Sequence, residues 1–92
     1  MIRRRLIVTG RVQGVFYRAW FAGQAEALGL AGWVRNRADG SVEAVIEGAA
    51  EKVEEAIGCA RQGSPASRVA DVQVSDDAPA ETLNGFVTRR TL

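Results

Sequence analysis

The stretch "LAGWVRNRADGSVEAVIEG", residues 30–48, restricts the folds open to this chain more than any other segment. Asp39-Gly40 signals a hairpin turn, because both residue types tolerate positive φ. Before it, "LAGWVRNR" (30–37) predicts a strand. After it, "SVEAVIEG" (41–48) predicts another, with Val42, Ala44 and Ile46 on one face and Glu43 and Glu47 on the other. A lone hairpin is marginal in water, so its apolar face must be covered by the flanking chain.

Both flanks switch from a strand period to a helix period or back. Upstream, "RRLIVTGRVQ" (4–13) places Leu6, Val8 and Val12 on one face of a strand. From about residue 18, Phe21, Ala25 and Leu28 recur at helical spacing, and Gly29 is the expected stop. Gly23 inside that helix costs about 1 kcal/mol relative to alanine, so a compensating contact is expected. Downstream, "AAEKVEEAIGCARQG" (49–63) predicts a helix with Val53, Ala56, Ile57 and Ala60 as its apolar stripe, ended by Gly63-Ser64-Pro65. "RVADVQVS" (68–75) predicts a fourth strand with Ala70, Val72 and Val74 on one face. The polar loop "DDAPAETLNG" follows, and "FVTRRT" (86–91) predicts a short terminal edge strand.

The resulting order, β-α-β-β-α-β, is the split β-α-β pattern of the ferredoxin-like α+β sandwich. One domain over residues 1–92 is expected. Right-handed crossovers make strands one and two parallel, with strand three antiparallel between them and both helices on one face of a mixed sheet. The end of strand one, carrying "QGVFYR", and the end of strand two, carrying Asn36, then emerge at the same sheet edge.

Composition removes several chemistries. There is no histidine and one cysteine among 92 residues. Ser–His–Asp and Cys–His pairs are therefore excluded, as is a zinc site of ordinary type. Cys59 is expected to be an inert, partly buried thiol, which fits a reducing, cytoplasmic location. No membrane partner is expected, since no run of 18 apolar residues occurs and the start "MIRRRLIVTG" lacks a secretory h-region. Net charge is only +1, so no strong field attracts nucleic acid. Arg3, Arg4 and Arg5 are expected to be a solvated strand start. Arg35 and Arg37, on the face opposite Asn36, are likewise expected in solvent. Trp20 and Trp33 are expected in the core or on a sheet face.

"GRVQGVFYR" (10–18) joins a strand to a helix and carries the chemistry that remains. Helix N-termini leave backbone N–H groups free and carry partial positive charge. Gly14 can curl those groups toward an anion, and the Arg18 guanidinium can grip two oxygens at once. A plain strand-to-helix turn with a solvent-facing arginine remains the competing reading. Asn36 has its own alternative, as a residue that ends the strand or seeds the turn.

Two segments resemble a known family. G-x-V-Q-G-V-x-x-R at Gly10 to Arg18, and G-W-V-R-N-x-x-x-G-x-V-x-x-x-x-x-G at Gly32 to Gly48, closely resemble the signature segments of the acylphosphatases, in order and without a gap. "GSPASRVADVQV" (63–74) resembles the family's second-helix exit and fourth strand, whereas the tail is a looser match. The resemblance implies hydrolysis of a small-molecule acyl phosphate to a carboxylate and inorganic phosphate, with no metal or organic cofactor. It implies that Gln13, Gly14, Val15, Phe16, Tyr17 and Arg18 hold the phosphoryl group, and that Asn36 orients the attacking water. Gln13 is expected to contribute its N–H. Val15, Phe16 and Tyr17 are expected to offer backbone donors with packing or rim side chains. Without a histidine base, the water's proton is expected to pass to a substrate phosphate oxygen, with Asp39 or Glu43 as the protein alternatives. The expected protein is a cytoplasmic monomer with no nucleic-acid partner. One rival is a non-catalytic module that binds carbamoyl phosphate or another anion. The other is an RNA-binding ferredoxin-like sheet, disfavoured because strands one and three carry no aromatic residue to stack on a base.

Overall fold

The computed structural model describes residues 1–76 and 78–91. Its elements are β1 (Ile2–Arg11), α1 (Tyr17–Ala27), β2 (Ala31–Asn36), β3 (Val42–Gly48), α2 (Ala50–Gln62), β4 (Arg68–Ser75) and β5 (Phe86–Thr88). The sheet order is β4-β1-β3-β2-β5. β3 runs antiparallel to both β1 and β2, and β5 runs parallel to β2. The expected ferredoxin-like α+β arrangement is therefore the one observed, with β5 added at the edge. Asp77 of the polar loop and the terminal Leu92 lie outside the described residues.

Pleating divides the sheet residues cleanly between two faces. Leu6, Val8, Val34, Val42, Ala44 and Ile46 share one face and form a single core with Phe21 and Ala25 of α1 and Val53, Ala56, Ile57 and Ala60 of α2. The register fixes the site: Val42 lies opposite Val8 on one side and opposite Asn36 on the other. The C-terminal ends of β1 and β2 are thus held at one edge by their shared neighbour. α1 ends in a Schellman arrangement, with Leu30 N–H donating to Ala25 O and Gly29 N–H to Glu26 O, both at 3.0 Å. Gly29 takes φ +70°, which a side chain would resist.

Four expectations need correction. Ala70 and Val74 of β4 are exposed and only Val72 is buried, because β4 is an edge strand and the register shift at Thr9/Gly10 skips Ala70 and packs Val69 against the core instead. No contact offsets Gly23: a Cβ there would meet nothing within 4 Å. Arg3 and Arg5 are not merely solvated. Arg3 pairs with Glu47 at 2.9 Å, and its Nη2 donates to the Glu81 carbonyl at 2.7 Å. Nor is Arg35 a solvent-facing residue.

The face turned away from the helices holds a network of charge instead. Arg5 and Arg35 flank Glu43 at 2.6 and 2.8 Å, and the glutamate side chain is 3% exposed. Burial alone would raise its pKa, but hydrogen bonds and charge from both arginines outweigh it and hold the carboxyl below its usual range. The Arg35 and Arg89 guanidinium groups both lie over the buried Trp33 ring, each 4.7 Å from its centroid. Its indole N–H donates to Glu81 at 3.0 Å. Cross-strand register explains the pairing, since Arg35 lies directly opposite Glu43.

Candidate active site

A cavity of about 330 Å³ opens between the N-terminus of α1 and the end of β2. Gly14, Phe16, Tyr17, Arg18 and Asn36 line it, with Val12, Ala19 and Thr88 completing the wall. Five of the seven residues singled out in the sequence therefore converge here. Gln13 and Val15 do not line the cavity.

The loop owes its shape to two residues in the left-handed region. Gly14 has φ +73°, with no protein atom within 4 Å of where a Cβ would stand, so glycine suits this position for its φ. Phe16 has φ 61° and ψ 24° and is the N-cap of α1. A non-glycine residue there costs about 1–2 kcal/mol. Among the described residues, no backbone partner takes the N–H groups of residues 14–19. The helix has no side-chain cap and no acidic residue in its first turn. Among the described residues its positive end thus has no capping side chain or first-turn carboxylate, and Arg18 adds a full cation to it.

Arg18 is half-buried, and its Nη1 donates to the Arg89 carbonyl at 3.3 Å. Arg89 N–H in turn donates to Val34 O at 2.8 Å, which ties the chain after β5 to β2. Asn36 lies on the helix-covered face of β2, and its Oδ1 is buried without a hydrogen-bond partner among the described residues. A buried amide oxygen in that state costs free energy unless something in the site donates to it.

The Gln13 side chain is engaged within the fold. Nε2 donates to the carbonyls of Arg37 and Ser41, each at 2.8 Å, and so staples the loop to the β2–β3 turn. Tyr17 faces the core: its hydroxyl donates to Ala60 O at 2.9 Å, and burial drives the phenol far above its ordinary pKa. Asp39 accepts from Ser41 N–H and Oγ–H at the hairpin tip, which holds its carboxyl below the usual range. Glu43 is on the opposite sheet face, engaged with its arginines. Among the described residues, no carboxylate, imidazole or thiol lines the cavity.

Arg89, Thr88, Trp33 and Glu81 were not legible as site residues. A three-residue strand carries no periodicity, and the loop carrying Glu81 reads only as polar. An arginine just past the last apolar pair was the available signal.

Fold and site together define an α+β sandwich with a cleft where a helix N-terminus meets two parallel strand ends. The family model described as Acylphosphatase matches residues 4–88. An acylphosphatase of Rhizorhabdus wittichii is 56% identical over 91 residues, which are 99% of this chain and 91% of that one. The acylphosphatase structure from Bacillus subtilis superposes with a TM-score of 0.91 at 38% identity, covering 97% of this chain and 99% of that one. That from Coxiella burnetii gives 0.88 at 32% identity, covering 96% and 92%. The chain belongs to the acylphosphatase family. Its activity is hydrolysis of the carboxyl–phosphate bond of acyl phosphates.

Proposed function

We propose that the loop N–H groups and Arg18 hold the phosphoryl group and that Asn36 positions the attacking water. The observation that carries this reading is the buried, unpartnered Oδ1 of Asn36 beside an uncapped helix N-terminus. The water oxygen bonds to phosphorus as the phosphorus–oxygen bond to the acyl group breaks, and the electron pair leaves with the carboxylate. The water's proton passes to a phosphate oxygen, giving dihydrogen phosphate. The substrate-assisted step is supported by the cavity lining, which among the described residues offers no carboxylate. Positioning and electrostatic stabilisation supply most of the rate in such chemistry.

Residues 1–92 act as one domain and one monomer in this reading, in the cytoplasm, where the lone Cys59 thiol stays reduced. No helix is long and apolar enough to cross a membrane. The absence of a nucleic-acid partner is supported by the sheet's open face, where Trp33 is buried under arginines and not presented for stacking.

The test is phosphate release from benzoyl phosphate in EDTA. Arg18→Ala is expected to lower kcat about 10²–10³-fold, as for loss of a preorganised donor. Arg18→Lys also fails, since a point charge cannot replace the planar fork. Asn36→Ala keeps inorganic-phosphate inhibition but turns over slowly. Near-normal turnover in the Arg18 variants, or lost phosphate binding with normal kcat in Asn36→Ala, would reject these roles.

A further inference from the structure

Phe16 is unusual twice over. Its backbone sits at φ 61°, where glycine or asparagine would rest at lower cost, and its phenyl ring is 86% exposed. Neither feature serves the core, which Tyr17 and Phe21 fill from the neighbouring positions. Phe16 nevertheless lines the cavity, alongside the apolar Val12 and Ala19. Polar groups converge from Arg18, Asn36 and the helix N-terminus, so the cavity has an anion-facing part and an apolar part. At about 330 Å³ it lies at the lower end of small-ligand pockets, which reach from about 300 to 1,000 Å³.

We propose that Phe16 is the acyl-group platform of the site and selects acyl phosphates whose acyl group is apolar and flat, aromatic ones above all. The inference rests on the cradle reading above and names its substrate class. As N-cap, Phe16 fixes both the start of α1 and the direction of its own ring. The acyl group leaves the cradle through the anhydride oxygen, beside that ring. An aromatic acyl group covers a phenyl face that water otherwise wets, and aromatic pairs gain beyond area alone. An acetyl group covers little of it.

The experiment compares kcat/KM for benzoyl phosphate and acetyl phosphate in wild type, Phe16→Asn and Phe16→Tyr. Asparagine tolerates the left-handed backbone, so the loop keeps its shape. The intrinsic lability of the two anhydrides cancels when the benzoyl-to-acetyl ratio is compared between variants. Phe16→Asn is expected to lower that ratio about tenfold, in the range that one apolar contact discriminates. Phe16→Tyr is expected to hold it. A ratio unchanged in Phe16→Asn would overturn the platform, and so would an equal fall in Phe16→Tyr. The cradle reading is judged separately, by the acetyl phosphate turnover of wild type against Arg18→Ala. If that difference vanishes, the cradle reading fails and the placement of the acyl group falls with it; if it persists while the ratio holds in Phe16→Asn, the platform alone is rejected.

Discussion

The guanidinium of Arg18 hangs from the main-chain carbonyl of Arg89, 3.3 Å from Nη1, and the side chain of Arg89 is clamped on the other face of the sheet. There it stacks on Trp33 and meets Glu81 at 3.0 Å. The proposed phosphate-gripping residue is thus held by a strand end whose position is set through the sheet.

Arg89→Ala keeps the carbonyl but removes the clamp. We expect kcat to fall about ten- to a hundredfold, the scale of a small misplacement in a preorganised site. Arg90→Ala removes a neighbouring exposed charge and should leave kcat within about twofold. Steady-state kinetics of the two variants separate positioning from a general loss of charge.

Gln13→Ala leaves the Arg37 and Ser41 carbonyls without their side-chain donor and cuts the loop from the strand end that carries Asn36. A loss of about 1–2 kcal/mol is expected in urea denaturation. Turnover should fall with it under conditions where the variant is fully folded. Gln13→Glu should be worse, because a carboxylate would face two carbonyl oxygens.

The Glu43 carboxyl is held below its usual range in the folded protein, the arginines outweighing its burial. Its contribution is therefore complete above the unfolded-chain value, about 4.3, and fades as pH falls through the lower folded value. The urea midpoint should be flat from neutral pH and drop below about pH 4.5. Glu43→Gln should lower stability at pH 7 by about 2–3 kcal/mol, with a lower urea midpoint, and flatten the acid drop.

Gly23 and Gly58 both lie on exposed helix faces, with nothing within 4 Å of an added Cβ. Alanine at either position should stabilise by about 0.5–1 kcal/mol. The two lie in different helices, so the double variant should show roughly the sum. Thermal denaturation and turnover together check this, with kcat expected unchanged.

Local pattern determined much of this protein. Period changes and the Asp39-Gly40 turn specify βαββαβ, and with right-handed crossovers they bring Arg18 and Asn36 to one edge. Those signals are legible because each depends on residues a few positions apart. The tertiary structure decided what depends on distant partners. It turned Gln13 to the hairpin carbonyls, left Ala70 and Val74 exposed on a bulged edge strand, and drew Arg3, Arg5 and Arg35 into ion pairs. It also brought the Arg89 carbonyl to Arg18, 71 residues earlier in the chain. Burial and pairing across the sheet set these outcomes, because a side chain's cost in water or in the fold depends on which neighbours the topology supplies.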